Sequence, residues 1–70
     1  LRRAAPNPCM DELRMHPAPP VGRGIRVLDA QGRQRMNSAW NGALDVHQLP
    51  AGTYLIAVEG MPVPTRFIKL

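Results

Sequence analysis

Cysteine is nearly absent from this chain. Cys9 stands alone among 70 residues, so neither an internal disulfide nor a dithiol redox pair can form. A lone thiol fits a reducing compartment and equally an extracellular domain without bridges. Aromatic residues are scarce too: Trp40, Tyr54 and Phe67, far apart in sequence. Nucleic-acid surfaces combine a clustered basic stripe with aromatics that stack bases, and neither feature is present. Nine Arg and Lys residues against five Asp and Glu give a net charge of +4, yet the basic residues are scattered. Such charge reads as a solvated surface. It leaves anionic glycan or lipid headgroups as partners on charge alone and gives no reason to expect nucleic acid. No apolar run approaches the ~20 residues of a membrane-spanning helix, and no basic-then-apolar signal segment is visible.

The residues that carry chemistry are also missing from the patterns chemistry needs. Cys9, His16 and His47 are an incomplete ligand set with no zinc-site spacing. No residue pattern supplies an orienting group or an oxyanion hole for a Cys–His pair. Asp11 and Glu12 are adjacent, so on a strand they face opposite ways, which is wrong for an acid/base carboxylate pair. Asp45 lies between Leu44 and Val46 and points outward as a solvated charge. The four methionines read as core or loop fillers. The expectation is a non-enzymatic protein with no metal and no cofactor.

What the chain has in abundance is punctuation. Eight prolines and six glycines break it at short intervals, which argues for several short strands. Pro6-Asn7-Pro8 is a rigid turn closing a first segment, residues 1–5. Residues 11–16 (DELRMH) alternate, with Leu13 and Met15 on one face; a helix over 9–15 is the competing reading, and Pro17 would end it. The proline-rich stretch 17–24 is a loop. Residues 25–29 (IRVLD) form a strand with Ile25 and Val27 inward. Asp29-Ala30-Gln31-Gly32 has turn chemistry, since Asp bonds its own downstream backbone and Gly accepts positive φ. Residues 33–36 return as a hairpin partner. Residues 37–42 (NSAWNG) read as a polar connection that carries the tryptophan.

Residues 43–47 form a strand with Leu44 and Val46 inward, and Leu49-Pro50-Ala51-Gly52 is a tight corner. Residues 53–59 (TYLIAVE) are the strongest strand: Tyr54, Ile56 and Val58 share one face, and the other is largely apolar, as in a central strand. Residues 60–64 bend the chain, and 65–70 (TRFIKL) close it. About seven short strands without alternating helices exclude a parallel βαβ architecture. The expected fold is all-β: an immunoglobulin-like antiparallel β-sandwich.

Taken in order, these pieces carry a family pattern. Pro6-Asn7-Pro8 precedes an amphipathic strand. A second apolar strand leads to Asp29-x-x-Gly32-Arg33. A Leu-Asp-Val strand runs into Leu49-Pro50-x-Gly52-x-Tyr54, and the chain closes on Thr65-Arg66-Phe67-Ile68-Lys69. Over nearly its whole length the chain resembles the C-terminal sorting domain of type IX secretion cargo proteins, the type A signal of Bacteroidetes. Arg66 departs from the pattern, standing where the family often has a lysine.

The resemblance implies a terminal domain, residues 1–70, excised from a larger parent, as a first residue Leu1 rather than Met also suggests. It implies passage through the periplasm, recognition of the folded domain by shuttle and translocon components, and crossing of the outer membrane. Removal by a cell-surface sortase and attachment of the cargo to an anionic lipopolysaccharide usually follow, and some members keep the domain.

Within that frame Asp29, Gly32, Leu49, Pro50, Gly52 and Tyr54 are expected to build the scaffold, with Tyr54 as a core aromatic whose hydroxyl bonds backbone. Recognition is expected at Arg66, Phe67, Ile68, Lys69 and Leu70, read as an exposed edge to which a receptor adds a strand. Pro6, Asn7 and Pro8 fix how the chain enters the sandwich and are a lesser candidate contact. The same edge offers self-association. The rival expectation is an immunoglobulin-like accessory or glycan-binding module of a surface protein.

Overall fold

Two antiparallel sheets face each other in residues 2–70, the part of the chain that the computed structural model describes. The strands are β1 (Arg3–Ala5), β2 (Glu12–His16), β3 (Gly24–Asp29), β4 (Gln34–Ala39), β5 (Leu44–Asp45), β6 (Gly52–Val58) and β7 (Thr65–Lys69). One sheet has the order β1-β2-β5 and the other β4-β3-β6-β7. The fold is therefore the all-β sandwich that the turn spacing predicts, and β6 is central, between β3 and β7.

Period-two alternation decides which side chains meet between the layers. Leu13 and Met15 come from β2; Ile25 and Val27 from β3; Tyr54, Ile56 and Val58 from β6; and Phe67 from β7. All are buried. Cross-strand register puts Asp29, Tyr54 and Phe67 in one row over three strands. The Tyr54 and Phe67 rings stack at 5.5 Å between centroids. The Tyr54 hydroxyl donates to the Pro50 carbonyl at 2.5 Å, which ties the corner to the strand that follows it. A buried phenol keeps a polar partner in this way, and Leu49 is buried beside it.

Two strands and one side chain depart from the sequence expectation beyond a shift of a residue or two at strand ends, each for a physical reason. β4 extends through Asn37, Ser38 and Ala39, residues with little strand preference, because β3 supplies a complete ladder opposite them. β5 is only two residues long. The Asp45 carboxylate accepts both the His47 backbone N–H (3.1 Å) and pairs with its ring Nδ1 (2.6 Å), and this local turn ends the strand. Trp40, expected in a polar connection, is a core residue with 1% exposure. Its backbone N–H donates to the Arg23 carbonyl and its own carbonyl accepts from Gly22, fastening the proline-rich loop to the end of β4. Polar neighbours hid it: a flanking Asn-Gly pair says nothing about where an indole points.

The β3–β4 hairpin is organised by one carboxylate. Asp29 Oδ1 accepts the N–H groups of Gln31 and Arg33, both at 2.9 Å, while Oδ2 takes Arg33 Nε at 3.1 Å. Gly32 sits at φ +82°, where a side chain would be strained, and donates to the Asp29 carbonyl. The ladder slips past Arg35, which is the extra residue of a bulge, and its guanidinium lies 3.8 Å from Asp29. The backbone N–H of Arg33, then that of Gln31 and the Arg33 side chain, hold the Asp29 carboxyl below its ordinary range against the opposing effect of burial.

Two outcomes follow. Trp40→Ala should cost about 3–5 kcal/mol, comparable to the roughly 3–5 kcal/mol such a core supplies, so circular dichroism should show little cooperative melting at 37 °C. A wild-type melt would contradict the core placement. Because folding lowers the Asp29 pKa, its stabilisation is complete above the unfolded carboxylate value of about 3.9. It is lost as pH falls through the lower folded value. Melts of wild type and Asp29→Asn between pH 2 and 6 should converge at the acid end and separate above it.

Candidate recognition site

The residues proposed for recognition lie in two segments at opposite ends of the sequence, and the fold brings them together. β1 belongs to the three-stranded sheet. After Pro6 the chain leaves that sheet, crosses to the other layer and runs beside β7. There the Ile68 N–H donates to Asn7 Oδ1 at 2.9 Å, the Cys9 N–H donates to the Ile68 carbonyl at 2.9 Å, and the Leu70 N–H donates to the Cys9 carbonyl at 2.8 Å. Cys9 and Lys69 form a parallel bridge. Pro6 and Pro8 flank the asparagine and are exposed. Both remove a backbone donor and fix φ, which leaves Asn7's side chain as the group that reaches across.

This clasp corrects one expectation. The outer edge of β7 is not an open row of backbone groups: at Ile68 and Leu70 it is already hydrogen-bonded to residues 7–9. A strand added there, whether from a receptor or a second copy, must first displace them.

Alternation along β7 divides the rest. Thr65, Phe67 and Lys69 point inward and are buried, while Arg66, Ile68 and Leu70 point out, the last two 42% and 60% exposed. Phe67 is thus a core residue packed on Tyr54. The Lys69 ammonium is spent locally, donating to the Leu70 carbonyl at 2.9 Å. Burial pushes the neighbouring Cys9 thiol up, and the Lys69 charge only partly offsets this, so the thiol is a small apolar filler of the core. The accessible members of the predicted set are Arg66, Ile68, Leu70, Pro6, Asn7 and Pro8. An open groove of about 540 Å³ on the far side of the sandwich is lined by Met36, Val46 and Leu49 with Asp45 and His47 at its rim. A second, of about 470 Å³, runs over the β1–β7 seam between Arg2, Arg3 and Arg66 and has no acidic residue in its wall.

The scaffold residues support this arrangement from behind. Gly52 is the Cα partner of Lys69, and Tyr54 that of Phe67. Among the described residues no three metal-binding side chains gather. His16 and His47 are exposed on different strands and turns, and Cys9 is enclosed. Sequence reading missed the contact between Asn7 and Ile68, 61 residues apart. The only signal for it was an asparagine held between two prolines with no turn partner of its own. It also took the second apolar face of β6, Leu55 and Ala57, only as the sign of a central strand; both are partly exposed.

No curated protein and no solved structure matches the chain. One family model does, over residues 3–65, described as a secretion system C-terminal sorting domain. The matched span includes Asn7 and Cys9, the Asp29 turn and the Tyr54 corner, and stops at the first residue of β7, short of Ile68 and Leu70. It covers most of the chain and agrees with the motif order, so the protein belongs to the C-terminal sorting domains of the type IX secretion system.

Proposed function

We propose that residues 1–70 form one sorting module of a larger exported protein and that the secretion machinery recognises the folded module, not a linear tail. Membership in the sorting-domain family makes the chain a signal for export across the outer membrane to the cell surface or the medium, and makes the type IX machinery its partner. The finer reading is ours. The parent reaches the periplasm first, shuttle and translocon components engage the module there, and a cell-surface sortase then removes it and attaches the cargo. The module itself performs no catalysis.

The observation that carries this reading is the clasp. Asn7 and Cys9 hold Ile68 and Leu70, so the two segments nominated for recognition are one continuous surface only when the sandwich is closed. Arg66, Ile68 and Leu70 with Pro6, Asn7 and Pro8 are the residues we assign to it. Phe67 and Lys69 contribute by holding β7 in place. Asp29, Gly32, Leu49, Pro50, Gly52 and Tyr54 contribute by holding the sheet behind it.

A reporter fused ahead of residues 1–70 in a type IX-competent bacterium tests the assignment. Surface display of the intact fusion supports it, and retention in the periplasm, as an accessory or glycan-binding module would give, refutes it. Removing Ile68, Lys69 and Leu70 deletes both partners of the clasp and should stop export while the reporter stays folded and active. Asn7→Ala deletes one hydrogen bond, worth about 1 kcal/mol, and should lower the melting temperature by a few degrees with a partial loss of export. Undiminished export of the truncated fusion would show that the signal lies elsewhere.

A further inference from the structure

The outward face of the β4-β3-β6-β7 sheet has no second layer over it, and its chemistry is not that of an ordinary solvated face. Register fixes the rows. Asn37, Arg26 and Ala57 are cross-strand partners, Leu28 pairs with Leu55 and Leu55 with Arg66, and Thr53 pairs with Ile68. Burial alternates along β3, β6 and β7: Ile25 and Val27, Tyr54 and Ile56, and Phe67 turn inward, so Arg26, Leu28, Leu55, Ala57, Arg66 and Ile68 turn outward. Adjacent rows therefore make an apolar centre with an arginine on each side. Among the described residues neither arginine has a carboxylate within ion-pair distance, whereas Asp29, Glu12 and Asp45 are engaged with Arg33, Arg14 and His47. Glu59, the residue after β6, lays its side chain over Gly24 and lines one groove with Arg26, Asn37 and Ala57, outside ion-pair distance of Arg26.

We propose that this face, and not the edge of β7, is the docking surface of the sorting signal, and that its partner is a protein surface with an apolar centre flanked by carboxylates. The inference deepens the function proposed above and rests on it. Three observations select a protein partner. Arg26 and Arg66 face one carboxylate, Glu59 at the end of the sheet, so the face keeps a net positive charge and the complementary surface is acidic. Its centre is apolar and only partly exposed, as at an interface core bordered by charge. A lipid surface is disfavoured because Trp40, Tyr54 and Phe67 are all buried, leaving no aromatic to anchor at a headgroup layer. The β7 edge is closed by the clasp, whereas Arg66 and Ile68 present their side chains to this face without rearrangement.

The test uses the reporter fusion with residues 1–70 unaltered as its reference. Leu55→Glu places a carboxylate opposite Arg66, so the sheet should still form, and Arg66→Glu removes the flanking charge. Each should reduce export roughly tenfold, the scale of losing one interface anchor, with melting temperatures within a few degrees of wild type. Arg14→Glu, on the other sheet, should leave export unchanged. Wild-type export by both folded face variants would overturn the proposal while leaving the sorting function standing. Retention of the unaltered fusion would overturn both, and so separates the two failures. Two further measurements decide the occupant. If the isolated domain is a dimer in size-exclusion chromatography and Leu55→Glu makes it a monomer, a second copy covers the face and the proposal falls. It falls equally if the domain cosediments with phosphatidylglycerol–phosphatidylcholine vesicles and Arg66→Glu abolishes this.

Discussion

The structure depends on a short stretch of chain that changes sheets. Residues 3–5 pair with β2 in one layer, and two residues later Asn7 is bonded to β7 in the other. With one cysteine there is no covalent tie between the layers. The crossing segment supplies the tie, with three hydrogen bonds to Ile68 and Leu70 and a buried thiol beneath them. A contact across 61 residues carries a large loop-closure cost, and it is met by the packing of Phe67 on Tyr54 and of Lys69 beside Cys9. If the crossing failed, β7 would have a free edge and Phe67 a path to solvent.

That constraint changes what kind of signal this is. A free edge strand would be read by backbone pairing, which is tolerant of sequence and open to aggregation. A closed edge leaves side chains as the readable elements, on a surface that exists only in the folded state. In the function proposed above, such an arrangement suits a module carried on unrelated cargos, because the proposed face is assembled from β3, β6 and β7 alone. It also explains why turn and corner residues dominate the family pattern in this chain: Asp29, Gly32, Pro50 and Tyr54 set the register that brings Leu28, Leu55 and Arg66 into one row.

Much of this was legible in the sequence. Alternation in DELRMH and TYLIAVE, the Asp-x-x-Gly turn and the Leu-Pro-x-Gly-x-Tyr corner are local signals whose physics acts within a few residues. They gave the strands, the central place of β6 and the tyrosine corner. The order of the same motifs gave the family. The failures were non-local. Trp40 is drawn into the core by a space between layers that no neighbour of Trp40 encodes. β4 is lengthened by its partner β3, and β5 is cut short by an Asp45–His47 pairing that two residues of separation conceal in an apparent alternation. The site was half visible: alternation alone would have placed Phe67 and Lys69 inward, but the clasp needs the three-dimensional path of residues 6–9.

Amide hydrogen exchange at Ile68 and Leu70, measured by NMR on the isolated 70-residue chain, reads whether the clasp is closed. Both N–H groups point to the outer edge of β7 and exchange freely unless residues 7–9 cover them. Protection at both positions should be close to that of Ile56 in the central strand and should be lost at Ile68 in Asn7→Ala. Exchange of Ile68 and Leu70 at the rate of an unstructured peptide would mean that the edge is open, and the signal would then be a strand to be paired instead of a face to be docked.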